Sequence, residues 1–168
     1  MLIDDLSRED FRSNLGTCWK PASDRVMGGV SQAALRVETH LGRPCLRLTG
    51  DVRLDNDGGF VQMALDLAPA GGSIDASAFS GVRLLVQGNG ERYAVHLRTA
   101  DVARPWQSYR AQFDSPVEWR EVCLAFKDFV PHRIDLPLDL AHLRRIGLIA
   151  IGREFSADLR LGRVELYR

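Results

Sequence analysis

Lysine is nearly absent: of the 22 basic residues only Lys20 and Lys127 are not arginine, a bias read as genomic composition rather than function. Charge of one sign is not in excess either, since 22 Lys and Arg balance 22 Asp and Glu. A protein that binds nucleic acid by neutralising phosphates carries a basic surplus, so no nucleic-acid partner is expected. Cysteine is scarce. Cys18, Cys45 and Cys123 are odd in number, far apart and without a CxxC pair. That argues against a disulfide framework or a zinc site, and predicts reduced thiols in a cytoplasmic protein. Cys45 and Cys123 sit in alternating apolar runs and read as small core residues. No apolar run approaches the ~20 residues that span a membrane; the longest, Ile146–Ile151, has the length of a strand. The first residues, Met1-Leu2-Ile3-Asp4-Asp5, lack the basic-then-apolar order of a signal peptide.

Catalytic motifs are missing as well. Neither lysine completes a phosphate-binding GxxxxGK[ST] loop, and Gly88-Asn89-Gly90 lacks the third glycine of a dinucleotide fingerprint. Gly28-Gly29-Val30-Ser31 is not a G-x-S-x-G nucleophile elbow. His40, His96, His132 and His142 do not pair at helical spacing as zinc ligands would. His96, between Val95 and Leu97, reads as a structural or solvent-facing imidazole. In Asp55-Asn56-Asp57-Gly58-Gly59, an EF-hand register would put Arg53 and Ala64 where carboxylates are required. A hairpin turn is expected there, with a looser calcium site on backbone carbonyls as the alternative. The expectation is a protein that is not an enzyme, with no cofactor and no metal among its site residues.

What the chain does have is strands. Period-two alternation marks Ala34–Glu38, Cys45–Val52, Phe60–Leu67, Val82–Gln87, Tyr93–Thr99, Ser108–Phe113, Glu121–Phe126 and Asp158–Tyr167. Ile146–Ile151 is continuously apolar and suits a strand buried on both faces. Gly88-Asn89-Gly90 reads as the turn of a hairpin. Helical signals are confined to Leu138–Arg145, with Asp139 as N-cap, and a possible turn at Ser7–Phe11. Strands without interleaved helices predict an all-β, two-sheet β-sandwich with at most one or two short helices, in a single domain over residues 1–168.

Two groups of residues stand out against this scaffold. One follows Trp19: Ser23-Asp24-Arg25-Val26-Met27-Gly28-Gly29-Val30-Ser31. A glycine pair there points to close backbone approach or positive φ, and Asp24 and Ser31 can pin such a turn by hydrogen bonds. The turn is either structural or an edge for binding. The other is Arg98, Trp106, Tyr109 and Gln112, aromatic and polar groups on or beside adjacent strands, a composition that stacks a sugar ring or anchors a protein. Trp19 and Trp119 read as core, and Trp106, after Arg104-Pro105, as a loop residue that is either exposed or core.

The string Asp24-Arg25-Val26-Met27-Gly28-Gly29-Val30-Ser31 resembles the signature of the CIA30 family, the complex I intermediate-associated protein 30 domain. Further matches follow in order: Asp57-Gly58-Gly59-Phe60, Gly81-Val82-Arg83-Leu84, Gly88-Asn89-Gly90, Arg92-Tyr93, Leu97-Arg98, Tyr109-Arg110-Ala111-Gln112-Phe113, Trp119, Phe126-Lys127-Asp128-Phe129 and Ile146-Gly147-Leu148. The resemblance implies a galactose-binding-domain-like jelly roll and a non-catalytic, chaperone-like protein-binding role on respiratory complex I assembly intermediates. With the cytoplasmic location expected from the thiols, such a partner would hold the chain peripheral to the inner membrane. In that reading Asp24, Arg25, Met27, Gly28, Gly29 and Ser31 shape a binding edge, with Arg98 and Trp106 as anchors beside Tyr109 and Gln112. The alternative is a module that binds a carbohydrate or other small ligand on the same face.

Overall fold

Every strand begins or ends within a few residues of a Gly, Pro, Asp or Asn, and the alternation between these breaks decides which side chains meet. In a computed structural model that describes residues 1–168, with the side chains of Val26, Met27 and Asp57 outside the description, twelve strands form. They are β1 (Leu2–Asp4), β2 (Lys20–Ser23), β3 (Ala34–His40), β4 (Arg43–Val52), β5 (Phe60–Asp66), β6 (Gly81–Gln87), β7 (Arg92–Thr99), β8 (Ser108–Asp114), β9 (Arg120–Ala125), β10 (Val130–His132), β11 (Leu143–Ile151) and β12 (Phe155–Tyr167). The helical residues are confined to short 3-10 turns. The first sheet runs β3-β4-β12-β6-β9, with β1 also against β12; the second runs β10-β8-β7-β11-β5-β2. All the pairings are antiparallel. The expected all-β, two-sheet sandwich is the fold observed.

One hydrophobic cluster joins the sheets: Leu46, Leu48, Leu84, Leu159 and Leu161 from the first meet Met63, Leu65, Val95, Leu97, Tyr109 and Leu148 from the second. Each such side chain contributes about 1.5–3 kcal/mol by leaving water. Because side chains alternate, inward Tyr93, Val95 and Leu97 on β7 force Ala94, His96 and Arg98 onto the outer face. The outermost strands of the second sheet, β2 and β10, carry Pro21 and Pro131, which tolerate an edge because they need no partner for an N–H. Both strands are short, and neither is marked by alternation.

Several local expectations are corrected. Gly88-Asn89-Gly90 does not close a hairpin, because β6 and β7 lie in different sheets. The segment crosses the sandwich: Gly88 N donates to Pro116 O at 2.6 Å, Asn89 Nδ2 donates to Ser156 O at 2.9 Å, and Tyr93 Oη donates to Asn89 Oδ1 at 2.8 Å. A side chain at Gly88 would overlap Ser115. The Asp55–Gly59 turn likewise links sheets rather than hairpin strands, since β4 and β5 are not in one sheet. Asp139 does cap a turn, accepting from Ala141 N at 3.0 Å, but the turn stops at His142 and both Arg144 and Arg145 belong to β11. Ser7–Phe11 is not helical: Asp5 and Asp10 accept from Ser7 N and Arg12 N and divert the backbone. Cys45 is in the core, but Cys123 is exposed, because inward Leu124 turns its neighbour on edge strand β9 outward.

Candidate functional site

Asp24 is fully buried, and its carboxylate gathers three donors. Ser31 N and Ser31 Oγ each donate at 3.0 Å, and Gly59 N donates at 2.5 Å. Ser31 Oγ in turn accepts from Arg53 N at 2.8 Å. The carboxylate therefore ties the end of β2 to the link between β4 and β5. A Cβ at Gly29 or Gly58 would overlap that carboxylate, so both positions require glycine for space. Gly28 is a different case: its φ of 84° is left-handed, and its N–H closes the turn on Arg25 O at 3.2 Å. Arg25 is exposed, and the side chain of Met27 lies outside the described ones. Asp24, Gly28, Gly29 and Ser31 form a structural clamp, and none of the described residues of this turn lines the groove described next.

The outer face of the second sheet holds a groove of about 310 Å³. Strand register assembles it in rows. Asp66, Arg145 and Arg98 are neighbours on β5, β11 and β7; Gly147, His96 and Arg110 are neighbours on β11, β7 and β8; Gln62 and Ile149 pair on β5 and β11. Gly147 keeps the floor open, since a Cβ there would come within 3.0 Å of the Gln62 side chain. Trp106 stands at the rim, 45% exposed. Its loop is held by Gln107, whose Oε1 accepts from Ala103 N and Arg104 N at 3.1 and 3.0 Å and whose Nε2 donates to Arg133 O at 3.1 Å.

The polar groups of the floor are unevenly satisfied. Arg145 Nε donates to Asp66 Oδ1 at 2.7 Å. Arg98 donates to Pro105 O, and Arg110 Nε donates to Ser108 Oγ at 2.9 Å. Neither Arg98 nor Arg110 meets a carboxylate among the described residues. His96 is 8% exposed, and its Nε2 is buried without a hydrogen-bond partner. Burial, then Arg110, His132 and Arg98, push its pKa down to about 3, so the ring is neutral. Burial and neighbouring arginines also lower Arg98 and Arg110, which nonetheless stay charged at any ordinary pH. Among the described residues, no three His, Cys, Asp or Glu gather as metal ligands.

Of the residues singled out in the sequence, the groove brings together Arg98 and Trp106. Tyr109 is not part of it. Ser108 and Arg110 face the groove, so Tyr109 points into the core, fully buried, with its Oη 3.0 Å from the carbonyls of Leu136 and Pro137. Gln112 shares the outer face but lies at its far end, beside Arg92 and Arg153. Trp19 is buried and donates from Nε1 to Asp4 Oδ2 at 2.8 Å, whereas Trp119 lies half-buried on the first sheet under Arg43. The groove residues passed over in the sequence are Gln62, Arg110, Arg145 and Gly147, together with His96, read there as structural or solvent-facing. Their signal is a polar or small residue at every second position of an apolar strand, which becomes a site only once register is known.

Solved structures share this fold. A family 11 carbohydrate-binding module of the cellulosomal cellulase Lic26A-Cel5E of Clostridium thermocellum is similar over 99% of this chain and 93% of its own, with a TM-score of 0.73 at 13% identity. The family 11 module from Clostridium thermocellum in complex with a β-1,3-1,4-mixed-linked tetrasaccharide gives 0.70 at 14% identity over 99% and 94%. A family 30 carbohydrate-binding module of the cellulosomal cellulase Cel9D-Cel44B of the same organism gives 0.63 at 15% over 88% and 90%. At such identities the likeness is one of fold. Among curated proteins none matches in sequence. The family model described as Complex I intermediate-associated protein 30 matches residues 9–164, nearly the whole chain, and the protein belongs to the CIA30 family.

Proposed function

We propose that this chain is a non-catalytic binding module that holds a polar ligand of carbohydrate size in the groove of its second sheet. The observation that carries the reading is a groove with an exposed indole at its rim and Gln62, Arg98, Arg110 and the His96 ring along its floor. The indole offers an apolar face for a sugar ring, and Gln62, Arg98 and Arg110 offer hydrogen bonds. Structural relatives named as carbohydrate-binding modules, one of them in complex with a tetrasaccharide, support this class of ligand. A non-catalytic role is supported by the chemistry of the floor. A histidine held near pKa 3 is far from the range of a useful general base at neutral pH, and arginine does not serve as one.

A second reading follows from the family. Its description names an association with complex I intermediates, which supports a protein partner and an assembly role. No helix of the described residues is long and apolar enough to cross a membrane. Affinity capture from the host, with complex I subunits enriched over an untagged control, is the outcome that favours this reading over the first.

A glycan array probed with the wild-type chain and with Trp106→Ala tests the first reading. Wild-type binding to a defined set of glycans is expected, reduced about tenfold or more in the variant, with melting within about 2 °C of wild type because Trp106 is exposed. An array with no binding, or binding indifferent to Trp106, would remove the groove as the ligand site.

A further inference from the structure

The chain as a whole is balanced in charge, but the groove is not. Arg98, Arg110 and Arg145 line it, and Arg144 and Arg133 stand close enough to disfavour the charges of Arg98 and Arg110 respectively. Among the described residues lining the groove and its two flanking recesses, the acidic group is Asp66, and Arg145 already holds it at 2.7 Å. Arg98 and Arg110 are left facing one another without a counter-charge. They occupy diagonal positions on adjacent strands β7 and β8, because His96 is the direct partner of Arg110 and Arg98 is two residues further on the same face. Diagonal positions lie about 7–8 Å apart, within reach of one small group between two long side chains.

Beside these arginines on the groove floor is the His96 ring, held neutral and so offering no counter-charge. One kind of ligand group answers both arginines. An anionic oxygen pair accepts fork-like hydrogen bonds from guanidinium and removes the repulsion between like charges. A neutral hydroxyl does only part of this, and a cation does none of it.

We propose that the groove selects ligands bearing a carboxylate or a phosphate, seated between Arg98 and Arg110 beside the His96 ring. The proposal rests on the groove being the ligand site. Its chemistry is that of an anionic oxygen group, which either an acidic sugar or a phosphorylated small molecule supplies.

Calorimetric titration with three probes, followed by NMR of the His96 ring, tests it: α-1,4-linked trigalacturonate, the uncharged galactotriose of the same linkage, and inorganic phosphate. Trigalacturonate or phosphate is expected to bind at least about tenfold more tightly than galactotriose, to weaken with added salt, and to shift the His96 ring signals. Which of the two anions binds identifies the source. The double variant Arg98→Gln/Arg110→Gln is expected to lose about tenfold or more in that affinity. Galactotriose binding as tightly, with loss in Trp106→Ala, would leave the groove as the ligand site and overturn its selectivity for anions. Anion binding that survives the double variant, or no binding by either anion, overturns the proposal. The glycan array decides the groove reading separately.

Discussion

Asp24→Ala is expected to lower the unfolding free energy by about 3–5 kcal/mol, a large part of the ~5–15 kcal/mol that holds a domain together. The carboxylate is fully buried, and its loss strands Ser31 N and Gly59 N in a site sealed from water and leaves Ser31 Oγ only the Arg53 carbonyl, 3.2 Å away, as acceptor. Asp24→Asn keeps the shape but turns an N–H₂ toward donors, so it is expected to recover only part of the loss. Gly58→Ala should be damaging for the matching reason, since its new methyl overlaps the same carboxylate. The two effects are coupled, and in a double-mutant cycle Gly58→Ala should cost markedly less once Asp24 has become alanine. Urea unfolding of the four proteins measures this. A loss under about 1 kcal/mol for Asp24→Ala would show that the turn is not held by its carboxylate.

The second large effect is acid sensitivity that runs through His96. The unfolded chain binds a proton near the ordinary histidine value of 6.5, while the folded chain resists it down to about 3. The group therefore contributes its full stability above about pH 6.5, and loses it as pH falls toward 3, because the unfolded state binds the extra proton. Between pH 7 and pH 4 that loss amounts to roughly 3 kcal/mol. The charges that face the ring, Arg110 and Arg98 with His132 behind them, all act in the same direction. Carboxylates contribute too: Arg47 beside Asp158 and Arg163 beside Glu165 hold those acids below their usual range, and burial raises Asp4. They are common to the wild type and to His96→Gln, so the difference between the two proteins isolates the imidazole. Wild type is expected to lose more stability than His96→Gln across this range. Parallel pH profiles would place the ring in contact with water rather than in a desolvated groove floor.

The central strands were legible because their alternation is strong. Phe60–Leu67, Tyr93–Thr99 and Ile146–Ile151 each differ from the observed strands by a few terminal residues. What was not legible is pairing. Asn89 reads as a hairpin turn until Ser156, from a strand 67 residues away, accepts its side-chain N–H. Tyr109 and Arg98 read as neighbours on one face, yet the parity that turns Arg110 outward sends Tyr109 into the core. The signature turn is visible as a glycine pair beside Asp24, but its reason lies in Gly58 and Gly59, 34 and 35 residues on, whose approach no local pattern reveals. The groove is the most hidden feature. Gly147 looks like a defect in an apolar strand and His96 like an isolated imidazole, and only the β11–β7–β8 register makes them adjacent.

The division of labour between clamp and groove is tested most directly by the equilibrium unfolding of Arg98→Gln/Arg110→Gln in the absence of ligand. If the two arginines are held for a ligand, removing them relieves like-charge repulsion and burial at the expense of the hydrogen bonds to Pro105 O and Ser108 Oγ. The double variant is then no less stable than wild type, to within about 1 kcal/mol, or is more stable. A loss of about 3 kcal/mol or more would mean that these residues hold the sandwich together, and would contradict the assignment of the groove as the binding site.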